Sequence, residues 1–296
     1  MLALTLTLAT IFQFTASLVI RTELNVPWTD TPQAQSAPDT ARLEIADGDR
    51  YASAGRWPEA VRAYRQAIEL DPTCAAAYGN LGYAYDQMGR FDEAVAVLKR
   101  AISLDPKNAV ARFNLGNTYL RLNRPAESIE PLEQAVKLKP DYFQAFNDLG
   151  NAYAQLSKYP EAITALKQAI RLQPDFALAY HNLGVAYYEI AQFKEAAESL
   201  TKAVSLTPDN AQACADLGLV YLELHQNRLA AQTLERAVRL APDDPRAQYH
   251  LGIAYLALKK NGNFWRQYSL VKSLQPELAE RLYQAFNSDR LLIVTK

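Results

Sequence analysis

Chemically reactive side chains are scarce in this chain: 296 residues contain two cysteines, three histidines and two methionines. The histidines (His181, His225, His250) do not group with the cysteines at any metal-ligand spacing, so no bound metal is expected. There is no Gly-rich phosphate loop, no Gly-x-Ser-x-Gly elbow and no paired metal-binding motif. The acidic residues are plentiful but fall in turns and on polar faces. The expectation is therefore a non-enzyme with no cofactor. Net charge is also lacking: 31 Lys and Arg against 32 Asp and Glu give −1, and no basic face with interleaved aromatics points to nucleic acid.

What the chain has instead is repetition. Leu-Gly recurs at Leu81-Gly82, Leu115-Gly116, Leu149-Gly150, Leu183-Gly184, Leu217-Gly218 and Leu251-Gly252, always 34 residues on. Pro72, Pro106, Pro140, Pro174, Pro208, Pro242 and Pro276 keep the same step. An aromatic follows each Leu by four residues, from Tyr85 to Tyr255, with Tyr51 in a degenerate first copy. Two columns of small residues, Ala60 to Ala230 and Ala67 to Ala237, bracket a bulky column of Tyr64, Leu98, Leu132, Leu166, Leu200 and Leu234. Spacings of three, four and seven place these on one helix face. Proline opens several second helices, as in Trp57-Pro58-Glu59 and Tyr159-Pro160-Glu161, where its missing N–H costs nothing.

A 34-residue helix–turn–helix with Leu-Gly, Tyr, two small columns and a closing Pro resembles the tetratricopeptide repeat (TPR). The resemblance implies an all-α fold, a right-handed α-solenoid of about seven hairpins over residues 41–278. The units fall near 41–74, 75–108, 109–142, 143–176, 177–210, 211–244 and 245–278. The last unit departs, with Asn261, Phe264 and Val271 in place of the turn aromatic and both small residues, as suits a terminal position. Residues 279–296 are expected to be a capping helix and tail: the amphipathic stretch Glu277–Phe286 would cover its open face through Leu278, Leu282, Tyr283 and Phe286, with a short apolar run Leu291–Val294 beyond. Cys74 and Cys214, about four repeats apart, cannot bond to each other in such a rod, and Cys214 sits in a core column.

Residues 1–20 carry no charged side chain, and at 1.5 Å per residue such a run spans the roughly 30 Å core of a bilayer. Three readings stand: a retained membrane helix over 1–21, a cleaved signal, or a segment folded against protein, which the alternation Leu2, Leu4, Leu6, Leu8 would suit. The retained anchor is the reading adopted. Residues 22–40, rich in Pro, Thr and Gln, read as a linker, with Trp28 facing either the interface or the first repeat. Flanking charge is nearly balanced, which leaves the side of the solenoid open, with the extracytoplasmic side preferred.

The resemblance also implies a concave groove lined by the first helix of each unit. The residue before Leu-Gly gives Asn80, Asn114, Asp148, Asn182, Asp216 and His250; neighbouring columns add Tyr83, Phe113, Asn117, Asn147, Asn151, His181, Tyr188 and Tyr249. The first column is similar to the asparagine ladder of the O-linked N-acetylglucosamine transferase solenoid, interrupted here by aspartates. A carboxamide both donates and accepts, so a row of them can hold a peptide backbone without reading its sequence. No Lys or Arg occupies the position of a carboxylate clamp, so capture of an acidic C-terminus is not expected. The function expected is a membrane-tethered scaffold binding a peptide or helix of a partner protein, in assembly or as an accessory subunit of a membrane or envelope complex. The alternatives are a structural subunit with an idle groove, or an exported soluble adaptor. The turn bases Arg56, Arg90, Arg124 and Lys158 are either solvated or face anionic headgroups.

Overall fold

The computed structural model describes residues 38–294, with side chains through residue 288. The charge-free segment 1–20, the linker with Trp28 and the side chains of Leu291–Val294 lie outside the described residues. Among the described residues there is no strand, and no helix is long and apolar enough to cross a membrane.

Among the described residues fifteen helices follow one another. The first helices of the hairpins (A helices) are α1 Asp39–Ser53, α3 Ala75–Gln87, α5 Ala109–Arg121, α7 Phe143–Gln155, α9 Ala177–Glu189, α11 Ala211–Glu223 and α13 Pro245–Ala257. The second (B) helices are α2 Trp57–Leu70, α4 Phe91–Leu104, α6 Pro125–Leu138, α8 Tyr159–Leu172, α10 Phe193–Leu206, α12 Asn227–Leu240 and α14 Asn261–Leu274; α15 Pro276–Val294 closes the order. The described residues divide into two compact units, 38–173 and 174–294. The first holds four hairpins, the second three and α15.

Within each hairpin, glycine decides how close the helices come. A Cβ built on Gly82, Gly116, Gly150, Gly184 or Gly218 would lie 2.5 Å from Cγ of Leu98, Leu132, Leu166, Leu200 or Leu234 respectively. All five leucines are fully buried, as is every member of both small columns, Ala60 to Ala230 and Ala67 to Ala237. The leucine column is thus a row of knobs, each seated where a side chain is missing on the facing helix.

The A-to-B turns share a second constraint. Gly55, Gly89, Asn123, Ser157, Ala191, His225 and Lys259 occupy the same turn position and all have positive φ, between 56° and 74°. The next residue's N–H then reaches back to the carbonyl of the column tyrosine, as from Arg90 to Tyr85 and from Gln192 to Tyr187, both at 2.9 Å. This six-to-one bond ends the helix by using one of its orphan carbonyls. Arg56, Arg90 and Arg124 then fold their guanidinium groups over the rings of Tyr51, Tyr85 and Tyr119, and each also pairs with the Glu three residues on. Those arginines are engaged within their own turns.

Successive A helices touch within each unit, α1 with α3, α3 with α5, α5 with α7, then α9 with α11 and α11 with α13; the B helices contact mainly A helices. The A helices are therefore the inner layer of each stack. The terminal unit departs as its composition implied. Gly252 faces not a leucine of its own hairpin but Leu282 of α15, whose Cδ2 lies 2.8 Å from the built Cβ. Phe264 and Val271 are fully buried, and Phe264 stacks on Phe286 at 4.9 Å and 20°. So α15 packs against both α13 and α14 and supplies the knob that this hairpin lacks. Cys74 and Cys214 are buried free thiols.

The close approach sets a sharp mutational test. Gly116→Ala forces Leu132 out of its seat and should cost about 1–3 kcal/mol in urea denaturation, with part of that loss recovered on adding Leu132→Val. Ala191→Gly relieves a left-handed alanine and should instead stabilise by about 0.5 kcal/mol.

Candidate partner-binding surface

Helical spacing brings the A-helix polar residues to the inner layer, where each meets the A helix of the next hairpin. In unit 38–173, Asp49 Oδ1 of α1 accepts from the Asn80 amide of α3 at 2.8 Å and from the Tyr64 hydroxyl at 2.7 Å. Its Oδ2 is buried with no hydrogen-bond partner. Asp86 of α3 takes the Thr118 hydroxyl at 3.2 Å and the Arg121 guanidinium, both from α5, and Arg121 lies 4.6 Å from the Phe91 ring. Asn117 of α5 donates to Asp148 Oδ2 of α7 at 2.8 Å, and Asn147 donates to its Oδ1 at 3.2 Å. In unit 174–294, His181 Nε2 of α9 stands 2.7 Å from Asp216 Oδ2 of α11, whose Oδ1 accepts from Gln212 at 2.9 Å. The bonds from Asp49 to Asn80, Asp86 to Thr118 and Arg121, Asn117 to Asp148 and His181 to Asp216 are rungs between repeats, 31 to 35 residues apart in sequence.

Burial leaves its mark on their acidity. The Asp148 carboxyl is pushed up to about 6, because desolvation outweighs the two amides that hold its charged form. Asp49 and Asp86 are raised for the same reason, Asp86 even against its arginine. His250 is lowered to about 4 by burial, despite Asp216 and Asp244 nearby, and is held neutral.

The expected groove residues therefore separate into two groups. Asn80, Asn147, Asp148, Asp216, Tyr249 and His250 are buried, and do not stand open along a groove. The reason is physical: an amide or carboxylate between two stacked helices is cheaper when bonded to the neighbouring repeat than when left for a ligand. Tyr83, Phe113, Asn114, Asn117, Asn151, His181, Asn182 and Tyr188 are half-buried. Tyr83 meets Trp57 edge-on at 5.9 Å, Phe113 tilts on Tyr142 at 4.7 Å, and Tyr188 on Phe193 at 5.6 Å. Asn151 Oδ1 accepts from Gln155 at 3.3 Å. Asn114 differs from all of these, since its carboxamide makes no hydrogen bond to another described residue; besides the helix's own bonds, its backbone carbonyl accepts from the Thr118 hydroxyl. In the other unit a shallow depression lies between Val185, Tyr188, Leu200, Leu219 and Val220, with Asp216 at its edge.

A family model of the C-terminal domain of cilia and flagella-associated protein 70 matches residues 109–271, more than half of the chain. A TPR repeat model matches residues 48–89 and 84–123. The chain belongs to the tetratricopeptide-repeat family. No curated protein matches it. Among solved structures, MamA is 28% identical over 59% of this chain and 95% of its own, with a TM-score of 0.53. PilW, described as a type IV pilus biogenesis factor, is 22% identical over 72% and 98%, TM-score 0.65. YrrB, described as a TPR protein with an unusual peptide-binding site, is 23% identical over 63% and 96%, TM-score 0.55.

In this TPR chain, reading the sequence missed Asp49, Asp86, Thr118, Arg121 and Gln212 as members of the inner layer. The available signal was complementary polar pairs one repeat apart, such as Asp49 with Asn80 and Asp86 with Arg121. Asp148 gives the clearest test of the rungs. Its folded pKa lies above the unfolded value of about 3.9, so the stability it contributes is full below pH ~4 and is lost as the pH rises through about 6. Asp148→Asn removes that ionisation while keeping a hydrogen-bonding side chain. It should stabilise the protein by about 2 kcal/mol at pH 8 and by little at pH 4, read from urea denaturation at the two pH values.

Proposed function

We propose that the protein is a scaffold that holds an extended segment of a partner protein against the A-helix wall of residues 38–173. The observation that carries this is Asn114, a half-buried carboxamide with its donors and acceptor uncommitted, on the helix that also presents Asn117 and Phe113. An uncommitted carboxamide on a rigid helix can satisfy one N–H and one C=O of a peptide backbone at once. Asn151 on α7, one repeat beyond Asn117, has its Oδ1 taken by Gln155 and offers its amide N–H groups. The peptide-binding site ascribed to YrrB supports the mode of action.

The charge-free run 1–20 supports a membrane tether, and with it a role in assembling, or belonging to, a membrane or envelope complex; the extracytoplasmic side is the preferred one for the solenoid. A second reading, a structural subunit held by its neighbours with an idle inner wall, is favoured by the number of A-helix polar groups already spent on rungs.

Selection of a displayed peptide library on the full chain separates the two. Asn114→Ala with Asn151→Ala should weaken the selected peptide by about tenfold while leaving the melting temperature unchanged. Asn80→Ala should do the reverse, costing about 1–2 kcal/mol of stability by stranding Asp49. Peptides that bind the double variant as well as the wild type would favour the structural reading. The tether is read separately: deletion of residues 1–20 should move the protein from the carbonate-washed membrane fraction to the supernatant.

A further inference from the structure

The terminal hairpin differs from the others in charge as well as in packing. Residues 245–276 include Arg246, Lys259, Lys260, Arg266 and Lys272 and not one Asp or Glu. In the first three hairpins the turn base is neutralised by a Glu three residues on, as Arg56 is by Glu59 at 2.7 Å. After Lys260 that position is Asn263. Lys259, Lys260, Arg266 and Lys272 are exposed, and none meets a carboxylate within ion-pair distance among the described residues. Lys260 and Lys272 lie no nearer than 5.9 Å to the rings of Tyr255 and Tyr268. Among the residues with described side chains, the acids on adjoining helices are Glu235, which accepts from the Tyr255 hydroxyl at 2.9 Å, and Glu277 and Glu280 on α15.

Large aromatic groups break surface on the same hairpin: Trp265 on α14 is 39% exposed and Tyr283 on α15 is 38% exposed. Leu270 and Leu274, also exposed, lie on the other flank of α14, and Leu274 continues a column that is exposed in earlier B helices at Leu70, Leu138, Leu172 and Leu240. Trp265, Tyr268 and Tyr283 form one ring cluster, with centroids 5.5 to 6.2 Å apart. Because α14 is a B helix, this surface lies on the outer layer of its own unit.

We propose that this outer face of α14 and the start of α15 docks on an anionic lipid bilayer. Protruding Trp and Tyr have an apolar body and a polar tip, which suits the headgroup layer, and unpaired Lys and Arg among them find their counter-charge in anionic headgroups. Exposed rings with basic side chains around them suit a flat headgroup layer; nucleic acid is instead held in a groove where bases stack. The contact is independent of residues 1–20 and of the inner wall.

The test uses the full chain with Trp28→Phe and Trp57→Phe, which leaves Trp265 as the sole tryptophan reporter. It is mixed with vesicles of phosphatidylcholine alone, and of phosphatidylcholine with about a third phosphatidylglycerol. Neutral vesicles read the N-terminal segment; the gain on anionic vesicles reads the terminal hairpin. The expected result is a blue shift of Trp265 on anionic vesicles only, reversed by salt, and a loss of the anionic gain by about 100-fold in Lys260→Glu/Arg266→Glu/Lys272→Glu. The reversals lie on exposed side chains and should leave the melting temperature unchanged. Equal partition of wild type and triple variant overturns the proposal, as does a Trp265 spectrum indifferent to phosphatidylglycerol. Charge-sensitive binding to a poly-glutamate peptide or a DNA duplex in place of vesicles overturns it too.

Discussion

The structure depends on an absence of atoms. Where Gly82 and its equivalents face Leu98 and its equivalents, a single methyl group would stand 2.5 Å from a leucine carbon. Its omission lets each B helix lie close enough for the leucine to be wholly buried, worth roughly 1.5–3 kcal/mol per hairpin. Close approach in turn demands small residues at both flanking columns, and the fully buried Ala60 and Ala67 columns meet that demand. One short crossing distance therefore dictates three columns of the sequence. The tyrosine column is tied to the same geometry through the turn, since its carbonyl receives the bond that stops the A helix.

Apolar packing of this kind is nearly the same in every hairpin and so says little about which hairpin should lie next to which. The polar rungs differ from repeat to repeat: Asp49 with Asn80, Asp86 with Thr118 and Arg121, Asn117 with Asp148, His181 with Asp216. A slipped neighbour would strand a buried carboxylate, at a cost of several kcal/mol. The rungs thus add selectivity to the stack while lowering its stability, as the raised Asp148 shows. They also explain why so few groups on the inner wall remain for a ligand. Each asparagine or aspartate spent on its neighbour is withdrawn from the surface that a partner could use.

Much of this was legible in the residues. The period, both small columns, the leucine knobs, the burial of Cys214 and the odd last hairpin all follow from identities that recur at fixed spacing. The turn was legible only in part. Two of its seven left-handed positions are glycine, whereas Ala191 and Lys259 announce nothing, because the surrounding hairpin forces a conformation their own preference would not choose. The inner wall was the least legible. Asn80 and Asn114 are the same residue in the same column, yet one is buried and bonded and the other half-buried and uncommitted. What separates them lies on the preceding A helix three residues further along its own register, Asp49 in one case and Tyr83 in the other. A column read down a single position cannot show that difference; a pair of columns read together can.

The closing hairpin shows what happens when a repeating interaction runs out of repeats. With no further hairpin after it, the last B helix must be covered by something that is not a repeat, and α15 does so by leaning on α13 as well as α14 and delivering Leu282 to Gly252. That solution changes the constraints on α14. Its Leu-column position holds Tyr268 and its small columns hold Phe264 and Val271, because the knob now arrives from outside the hairpin. Once freed from the pattern, the outer surface of α14 can differ in composition from every other B helix, and it does, with basic and aromatic side chains and no acid. The terminal position is where a solenoid can acquire a surface of its own without disturbing the spacing that its other hairpins share.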